Sequence, residues 1–461
     1  MFDIVKHVHF VGVGGIGMSA LARILVGWGV KVSGSDVVMS KMTDTLAGLG
    51  VNIYNGHAAE NLAQDVDVLV YSSVIHDDNP EYAEAKRRGV RICCRAELLA
   101  EMLRLKKGIA VAGAHGKTTT TGMIGTALLN MQQSPTIVVG GVLSTIGANA
   151  CWGTGEYLVA EADESDGSFL LLPAKVAVVN NIENDHLDHY GSMDNLIAAF
   201  KQFIGRVPAD GLAVIGLDCP ILAEMQPEIA VNHVSFAVHN PAADYTAAEI
   251  CYADFGSRTQ VYHHGELLGE LNLAVPGEYN VQNALAAVAT LHTLGFDFAE
   301  IAEGLAAFHG TGRRFELLGE DKVRNIRVYD DYAHHPSEIK ALLNGARNVA
   351  RERLVVVFQP HRYSRTSLLF DEFAGAFGAA DVLVLNEVYA AFEQPIEGAN
   401  SRALAAAIKE KEPALPVYYA ATEADVLQTL ADIAADGDLI MIVGAGPIRH
   451  AGEVYAASIM G

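Results

Sequence analysis

The sequence predicts an α/β protein of three domains, and three observations carry that prediction. Its 461 residues amount to about three domains at ~150 residues each. Short apolar runs alternate with helical patterns over most of the length, the rhythm of βαβ units around parallel sheets. Charge falls into unequal blocks: residues 1–107 carry 12 basic and 12 acidic side chains, 108–312 carry 5 and 22, and 313–461 carry 15 and 21. The blocks meet at Lys106-Lys107-Gly108 and at Gly310-Thr311-Gly312-Arg313-Arg314, each followed by a new apolar run. The expected domains are therefore 1–107, 108–312 and 313–461.

In the first block the runs Val8–Val13, Val30–Val32 and Val68–Tyr71 read as strands, with helical patterns at Gly17–Trp28 and Pro80–Arg88. The second opens with a strand at Ile109–Ala112 and a helix from Lys117, and continues with buried strands at Tyr157–Ala160 and Val176–Val179. From Val231 to Val275 short alternating runs and a His264-Gly265 turn predict an antiparallel patch, so this domain has a mixed sheet. The third returns to α/β, with strands at Ile326–Tyr329, Leu354–Phe358, Val382–Leu385 and Leu439–Val443.

Composition narrows the function. Hydrophobic residues make up 51% and charged residues 19%, enough apolar side chain for several cores and too little charge for a disordered chain. The net charge of −23 repels nucleic acid and anionic membranes, so neither is an expected partner. Five cysteines without a C-x-x-C pair suit a reducing compartment, and the stretch Val8–Val30 holds Arg23 and six glycines, which fits a strand, turn and helix better than a membrane segment. A cytoplasmic location is expected.

Gly113-Ala114-His115-Gly116-Lys117-Thr118-Thr119 joins a predicted strand to a predicted helix. Free backbone N–H groups, the helix dipole and an ammonium converge there, as in a loop that cradles a polyphosphate. Val111 stands where the full P-loop pattern has its first glycine. In this reading Lys117 holds the β- and γ-phosphates of ATP and Thr118 binds Mg²⁺. Glu161, at the end of the Tyr157–Ala160 strand and the start of an acidic run to Asp166, is the expected second metal ligand. His186, in Asn184-Asp185-His186-Leu187-Asp188-His189, either adds a ligand or orients the nucleotide. Magnesium is expected because a tetra-anion entering so acidic a domain needs local neutralisation.

Gly12-Val13-Gly14-Gly15-Ile16-Gly17 satisfies G-x-G-x-x-G after a strand, with Asp36 at the end of the next one. This marks the first domain as Rossmann-like and fits either a dinucleotide or a nucleotide diphosphate, so an NAD-dependent oxidoreductase is a rival reading. In the third domain, Asp330 to Pro336 and Pro360 to Arg365 follow strands, and residues 313–365 hold 11 basic against 7 acidic side chains. Arg362 and Arg365, three apart, suit a bidentate clamp on a carboxylate.

Taken together these motifs resemble the Mur ligases, the ATP-dependent amide-forming enzymes of bacterial peptidoglycan synthesis. The resemblance covers essentially the whole chain. Its marks are His9-Phe-Val-Gly-Val-Gly-Gly-Ile-Gly-Met-Ser19, Gly113 to Thr119, Glu161-Ala-Asp-Glu-Ser-Asp166, Asp331-Tyr-Ala-His-His-Pro336 and Gln359-Pro-His-Arg-Tyr-Ser-Arg-Thr366. It implies a Rossmann-like N-terminal domain that binds a UDP-sugar, a central P-loop ATPase domain, and a Rossmann-like C-terminal domain for amino-acid binding and closure.

The implied reaction joins L-alanine to UDP-N-acetylmuramate through an acyl phosphate. A ligase that recycles a murein tripeptide onto the same sugar nucleotide is the runner-up. The resemblance places Gly14, Gly15, Gly17, Met18 and Ser19 on the UDP moiety, with Asp36, His57 and Ser73 near the uridine or diphosphate. It places Gly113, Ala114, His115, Gly116, Lys117, Thr118 and Thr119 on ATP, with Asn280 and Asn283 as further nucleotide contacts. Thr118 and Glu161 would hold one Mg²⁺ and His186 a second. From the third domain, Arg314 and Asp331 are expected to reach ATP on closure, while Tyr332, His334, Arg362 and Arg365 take the amino acid. Lys201 lies near the place where sister ligases carry a carbamylated lysine, and is read here as a helix-surface residue. A monomer or weak homodimer is expected.

Overall fold

The computed structural model describes residues 5–72, 75–253, 255–350 and 352–460. Three sheets organise the chain. The first is built from β1 (His7–Val11), β2 (Lys31–Asp36), β3 (Asn52–Asn55), β4 (Val68–Tyr71) and β5 (Arg91–Cys94), in the order β3-β2-β1-β4-β5. All its pairs are parallel. The strand order reverses at β1, so the carboxyl ends of β1, β2 and β4 frame the crevice where such sheets bind ligands.

The second sheet has ten strands: β6 (Lys107–Ala112), β7 (Thr136–Leu143), β8 (Ala148–Cys151), β9 (Tyr157–Glu161), β10 (Val176–Val179), β11 (Leu212–Gly216), β12 (His233–Ala237), β13 (Tyr245–Ala253), β14 (Gly256–His263) and β15 (Glu266–Leu273). Their order is β15-β14-β13-β12-β11-β10-β6-β9-β7-β8. The third contains β16 (Glu316–Asp321), β17 (Ile326–Asp331), β18 (Leu354–Phe358), β19 (Val382–Asn386), β20 (Val417–Ala420) and β21 (Leu439–Val443), ordered β16-β17-β21-β18-β19-β20. Central strands such as β1, β10, β18 and β21 are buried throughout, which is why they read as unbroken apolar runs.

Local chemistry sets the helix ends. The helix Pro80–Arg88 starts where Asn79 accepts the N–H groups of Glu81 and Tyr82, has proline in its first turn, gathers Lys86, Arg87 and Arg88 in its last, and stops at Gly89 with φ 68°. By their contacts the residues form two compact units, Met1–Ala248 with Gln260–Leu271 and Gln282–His309, and Glu249–Thr259 with Asn272–Val281 and Gly310–Gly461. Within the first unit the helix Ile16–Gly27 packs so closely on the β8 end that a Cβ on Gly27 would fall 2.2 Å from the Trp152 ring.

Two expectations change. The strand β12, placed by its alternation in an antiparallel patch, runs parallel to both β11 and β13. Its last three residues are buried, so it extends the covered part of the sheet. The hairpin survives further on, where His264 and Gly265, with φ of 50° and 80°, make the two-residue turn between β14 and β15. The edge strand β16 pairs antiparallel with β17. Its polar sequence, Glu-Leu-Leu-Gly-Glu-Asp, carries no buried-strand signature.

Candidate active site

The central site grows from β6. Its last residues lead into Gly113 and Gly116, both with positive φ (134° and 80°), and the helix Lys117–Asn130 follows. A Cβ on Gly116 would meet Asn283 Oδ1 at 2.3 Å and Asn180 Nδ2 at 2.7 Å, so both backbone angle and space demand glycine there. The loop is pinned from the next strand: Asn181 Oδ1 accepts the His115 N–H at 2.8 Å, and His115 Nε2 lies 3.1 Å from Glu183. Asn180 Nδ2 donates to Thr120 Oγ1, which in turn donates to Asn283 Oδ1. Ala114, Thr118 and Thr119 lie in the same turn, Thr118 half-buried and Thr119 buried.

Lys117 Nζ donates to the Gly113 carbonyl at 2.6 Å, to the Ala114 carbonyl at 3.2 Å and to Glu164 Oε1 at 2.8 Å. Burial alone would drive off its proton, but the charges of Glu164, Asp163 and Glu161 outweigh it and raise the lysine above its ordinary value. Glu164 is pushed up by its own burial against the pull of Lys117. Its other oxygen, Oε2, is buried without a hydrogen-bond partner. His186, at φ 58° ahead of the short helix Leu187–Tyr190, brings Nε2 to 3.5 Å from Asp185 and 3.8 Å from Glu164.

Glu161 ends β9 in register with Val111 of β6, and its Oε1 accepts the Gly140 N–H at 2.5 Å. The fold thus gathers Lys117, Glu161, Asp163, Glu164 and His186 at the carboxyl edge of one sheet. Carboxylate oxygens are the donors a hard divalent cation takes, and Glu164 Oε2 is buried there without a hydrogen-bond partner. Asn180, Asn181 and Glu164 were not singled out by the sequence, although the asparagines' place directly after a strand is a readable signal. Lys201 lies on the helix Met193–Gly205, half exposed and paired with Glu228 at 2.6 Å, the surface position expected of it.

In the first sheet, Gly12 and Val13 donate their N–H groups to the Ser35 carbonyl, and Gly14 donates to Asp36 Oδ2 at 2.8 Å. Asp36 therefore braces the glycine turn. Gly15 precedes the helix and Gly17 lies in its first turn, where a Cβ would come within 3.0 Å of Arg95 Cδ. Arg95 is a cation at this turn that sequence reasoning passed over; its charge also reaches Asp163. The Met18 and Ser19 side chains are buried, and Ser19 bonds the Ile16 carbonyl and Asn149. His57 sits beyond β3, with Nδ1 2.8 Å from Ser35 Oγ. Ser73 lies outside the described residues.

In the C-terminal unit, Asp331 ends β17, where it accepts the N–H groups of Phe315 and Ala333, both at 2.8 Å. Burial lifts it to about 6, against the pull of Arg314. Tyr332 lies under two guanidinium groups, Arg313 at 4.7 Å and Arg314 at 5.3 Å from its ring centre. Its ring meets His334 at 5.4 Å, and His334 meets His361 at 6.3 Å. His361 is held down to about 4 by burial and by Arg365 and Arg362, so it is a neutral ring beside two cations. Arg362 adopts φ 71° where the helix Tyr363–Leu368 begins, and Arg365 Nη1 is 3.5 Å from His361 Nδ1. Asn280, on the helix Glu278–Thr293, donates to the Pro276 carbonyl at 2.7 Å.

A glycine loop that opens a helix with a buried lysine on one sheet, a second glycine turn on another and an arginine-lined strand edge on a third are the parts of a multi-substrate, nucleotide-using enzyme class. Sequence profiles described as "Mur ligase family, catalytic domain", "Mur ligase middle domain" and "Mur ligase, glutamate ligase domain" match residues 7–107, 111–291 and 313–446. A UDP-N-acetylmuramate–L-alanine ligase of Geotalea uraniireducens is 48% identical over 461 residues, all of both chains. Among solved structures, the UDP-N-acetylmuramate–alanine ligase of Thermotoga maritima superposes with a TM-score of 0.83 at 31% identity, over 98% of each chain. A murein peptide ligase of Psychrobacter arcticus gives 0.71 at 24% identity over 99% of each, a likeness of fold. The chain belongs to the Mur ligase family.

Proposed function

We propose that this protein joins L-alanine to UDP-N-acetylmuramate with consumption of ATP, in the cytoplasmic phase of bacterial peptidoglycan synthesis. The observation that carries the reading is the 48% identity, end to end, with a ligase of that name. The substrate carboxylate attacks the γ-phosphate of ATP and ADP leaves; the amine of L-alanine then adds to the acyl phosphate, loses a proton and expels phosphate to form the amide.

This chain's residues contribute mainly position and charge. The turn from Gly113 to Thr119 offers backbone N–H groups to the phosphates, and the Lys117 ammonium offsets repulsion between the carboxylate and the phosphoryl group. Thr118, Glu161 and His186 would hold magnesium, with Glu164 in the same cluster, and the ion when bound would supply further neutralisation. Gly14, Gly15 and Gly17 present the pyrophosphate turn, with Arg95 beside them. Arg314 and Asp331 are the groups the C-terminal domain offers the nucleotide, and Tyr332, His334, Arg362 and Arg365 take the amino acid. A neutral His361 accepts from Arg365.

Phosphate release from Mg-ATP is expected only when both UDP-N-acetylmuramate and L-alanine are present. Release with the murein tripeptide in place of L-alanine would transfer the assignment to the recycling ligase. A nicotinamide enzyme would leave the P-loop idle, and no NADH fluorescence enhancement is expected. Arg365→Lys keeps the charge and loses the bidentate fork. Its KM for L-alanine is expected to rise about tenfold with the KM for ATP unchanged, as measured by initial rates.

A further inference from the structure

In the third sheet β18 and β19 are parallel neighbours, so the loops that follow them leave the same edge, and the second loop closes on the first. The Tyr389 N–H donates to the Pro360 carbonyl at 2.9 Å, and the Arg362 N–H donates to the Tyr389 carbonyl at 2.8 Å. The His361 and Tyr389 rings lie 5.5 Å apart. Further along the second loop, Glu393 reaches the turn between the two arginines. Its Oε2 accepts the Ser364 N–H at 2.9 Å and its Oε1 accepts the Ser364 hydroxyl at 2.6 Å. Burial works against its charge, but the Ser364 bonds and the Arg362 guanidinium outweigh it and hold the carboxyl below its ordinary range.

Both ends of this contact are unusual. The helix Tyr363–Leu368 is short, and Arg362 at its N-cap, with φ 71°, is all donor. Its first turn therefore takes an acceptor from 29 positions away. On the other side, Ala391 and Phe392 both adopt left-handed backbone, with φ of 47° and 71°, a costly conformation for residues that carry a Cβ. Phe392 is fully exposed, so burial of its ring does not offset that cost. What the two residues accomplish is a reversal of the chain: the Glu393 N–H closes the turn on the Ala390 carbonyl at 3.0 Å, and the carboxylate comes back to Ser364. A bidentate, charge-assisted contact is stronger than a neutral one and fixes orientation as well as distance. Because Ser364 lies between Arg362 and Arg365 in the chain, holding it sets where both side chains begin.

We infer that Glu393 is a positioning residue for the amino-acid site: by clamping Ser364 it sets the turn from which Arg362 and Arg365 meet the carboxylate of the incoming amino acid. The inference rests on the amino-acid reading of these arginines and adds the group that holds them in place. Glu393 acts through Ser364. A turn already fixed before the ligand arrives lowers the ordering cost of binding, so the effect belongs to the KM for the amino acid and leaves the nucleotide sites alone.

The test is a set of initial rates of phosphate release by the full-length protein, with L-alanine, ATP and UDP-N-acetylmuramate varied in turn. In Glu393→Ala the KM for L-alanine is expected to rise about tenfold, the scale of one charge-assisted hydrogen bond. The KM values for ATP and UDP-N-acetylmuramate are expected to stay unchanged, and kcat to stay within about twofold. Glu393→Gln, whose amide accepts the Ser364 N–H and donates to its hydroxyl, is expected to recover most of the loss. Ser364→Ala, at an exposed position, removes one of the two bonds and is expected to raise the same KM about threefold; it reads the inference should Glu393→Ala fail to fold. Combining Ser364→Ala with Glu393→Ala is expected to be no worse than Glu393→Ala alone, because the two side chains act as a pair. An unchanged KM for L-alanine in the single variants overturns the inference, as does a parallel rise in all three KM values, which would make Glu393 a brace of the whole domain. If the wild type releases no phosphate in response to L-alanine, the amino-acid reading of the arginines falls and the inference with it. If the wild type responds and Glu393→Ala matches it, the inference alone falls.

Discussion

Lys117→Ala is expected to lower phosphate release by about a thousandfold or more at saturating substrates, equivalent to ~4 kcal/mol of transition-state stabilisation. The lysine is the cation of the P-loop, in a segment, 108–312, that carries 5 basic and 22 acidic side chains. Three carboxylates, Glu161, Asp163 and Glu164, act on it. Without the ammonium, a carboxylate and a polyphosphate must approach each other among those charges, and the low local dielectric magnifies the repulsion. The folded state is expected to survive, because Glu164, already pushed up by burial, can take a proton once its partner is gone. Circular dichroism should therefore match the wild type while single-turnover chemistry is lost. A variant that released phosphate near the wild-type rate would overturn the role given to Lys117.

How far the sequence exposes this site depends on where each group gets its meaning. Lys117 and the glycines around it are legible because a strand, a tight turn and a helix must follow one another within a few residues, and that is local information. Glu161 is legible because a strand end is local too. Glu164 is not: within Glu161-Ala-Asp-Glu-Ser-Asp166 nothing marks the fourth residue over the first, and its pairing with Lys117 depends on the lateral neighbourhood of β6 and β9. Arg95 and Glu393 are hidden for the same reason, their partners Gly17 and Ser364 being 78 and 29 positions away. Met18 and Ser19 are legible only as neighbours of the motif, and it is the helix phase, which the motif does not state, that turns both side chains inward. In the fold, the long apolar strands are readable from their burial on two faces, whereas the direction of β12 and the edge strand β16 are decided by neighbours remote in sequence.

Asp331 supplies the second large effect, and its sign is opposite to that of most carboxylates. Burial raises its pKa from 3.8 to about 6, outweighing Arg314 and the two backbone donors. The folded state therefore binds its proton more tightly than the unfolded chain, and the stability it contributes is full below about pH 4 and lost as the pH climbs through 6. Relative to Asp331→Asn, the wild type should lose on the order of 3 kcal/mol between pH 4 and pH 8, readable as faster amide exchange in β17 after correction for intrinsic rates. Activity should run the other way. The ionised form is the one that can work with a nucleotide and its counter-ions, so kcat/KM should fall in acid through an apparent pKa near 6. Asp331→Asn should lower turnover by about a hundredfold or more at every pH. A buried carboxylate kept where it costs stability at working pH is expected when its charge is needed for chemistry. If the Asn variant kept both full activity and the wild-type pH dependence of stability, Asp331 would be a strand-end brace for Phe315 and Ala333 and nothing more.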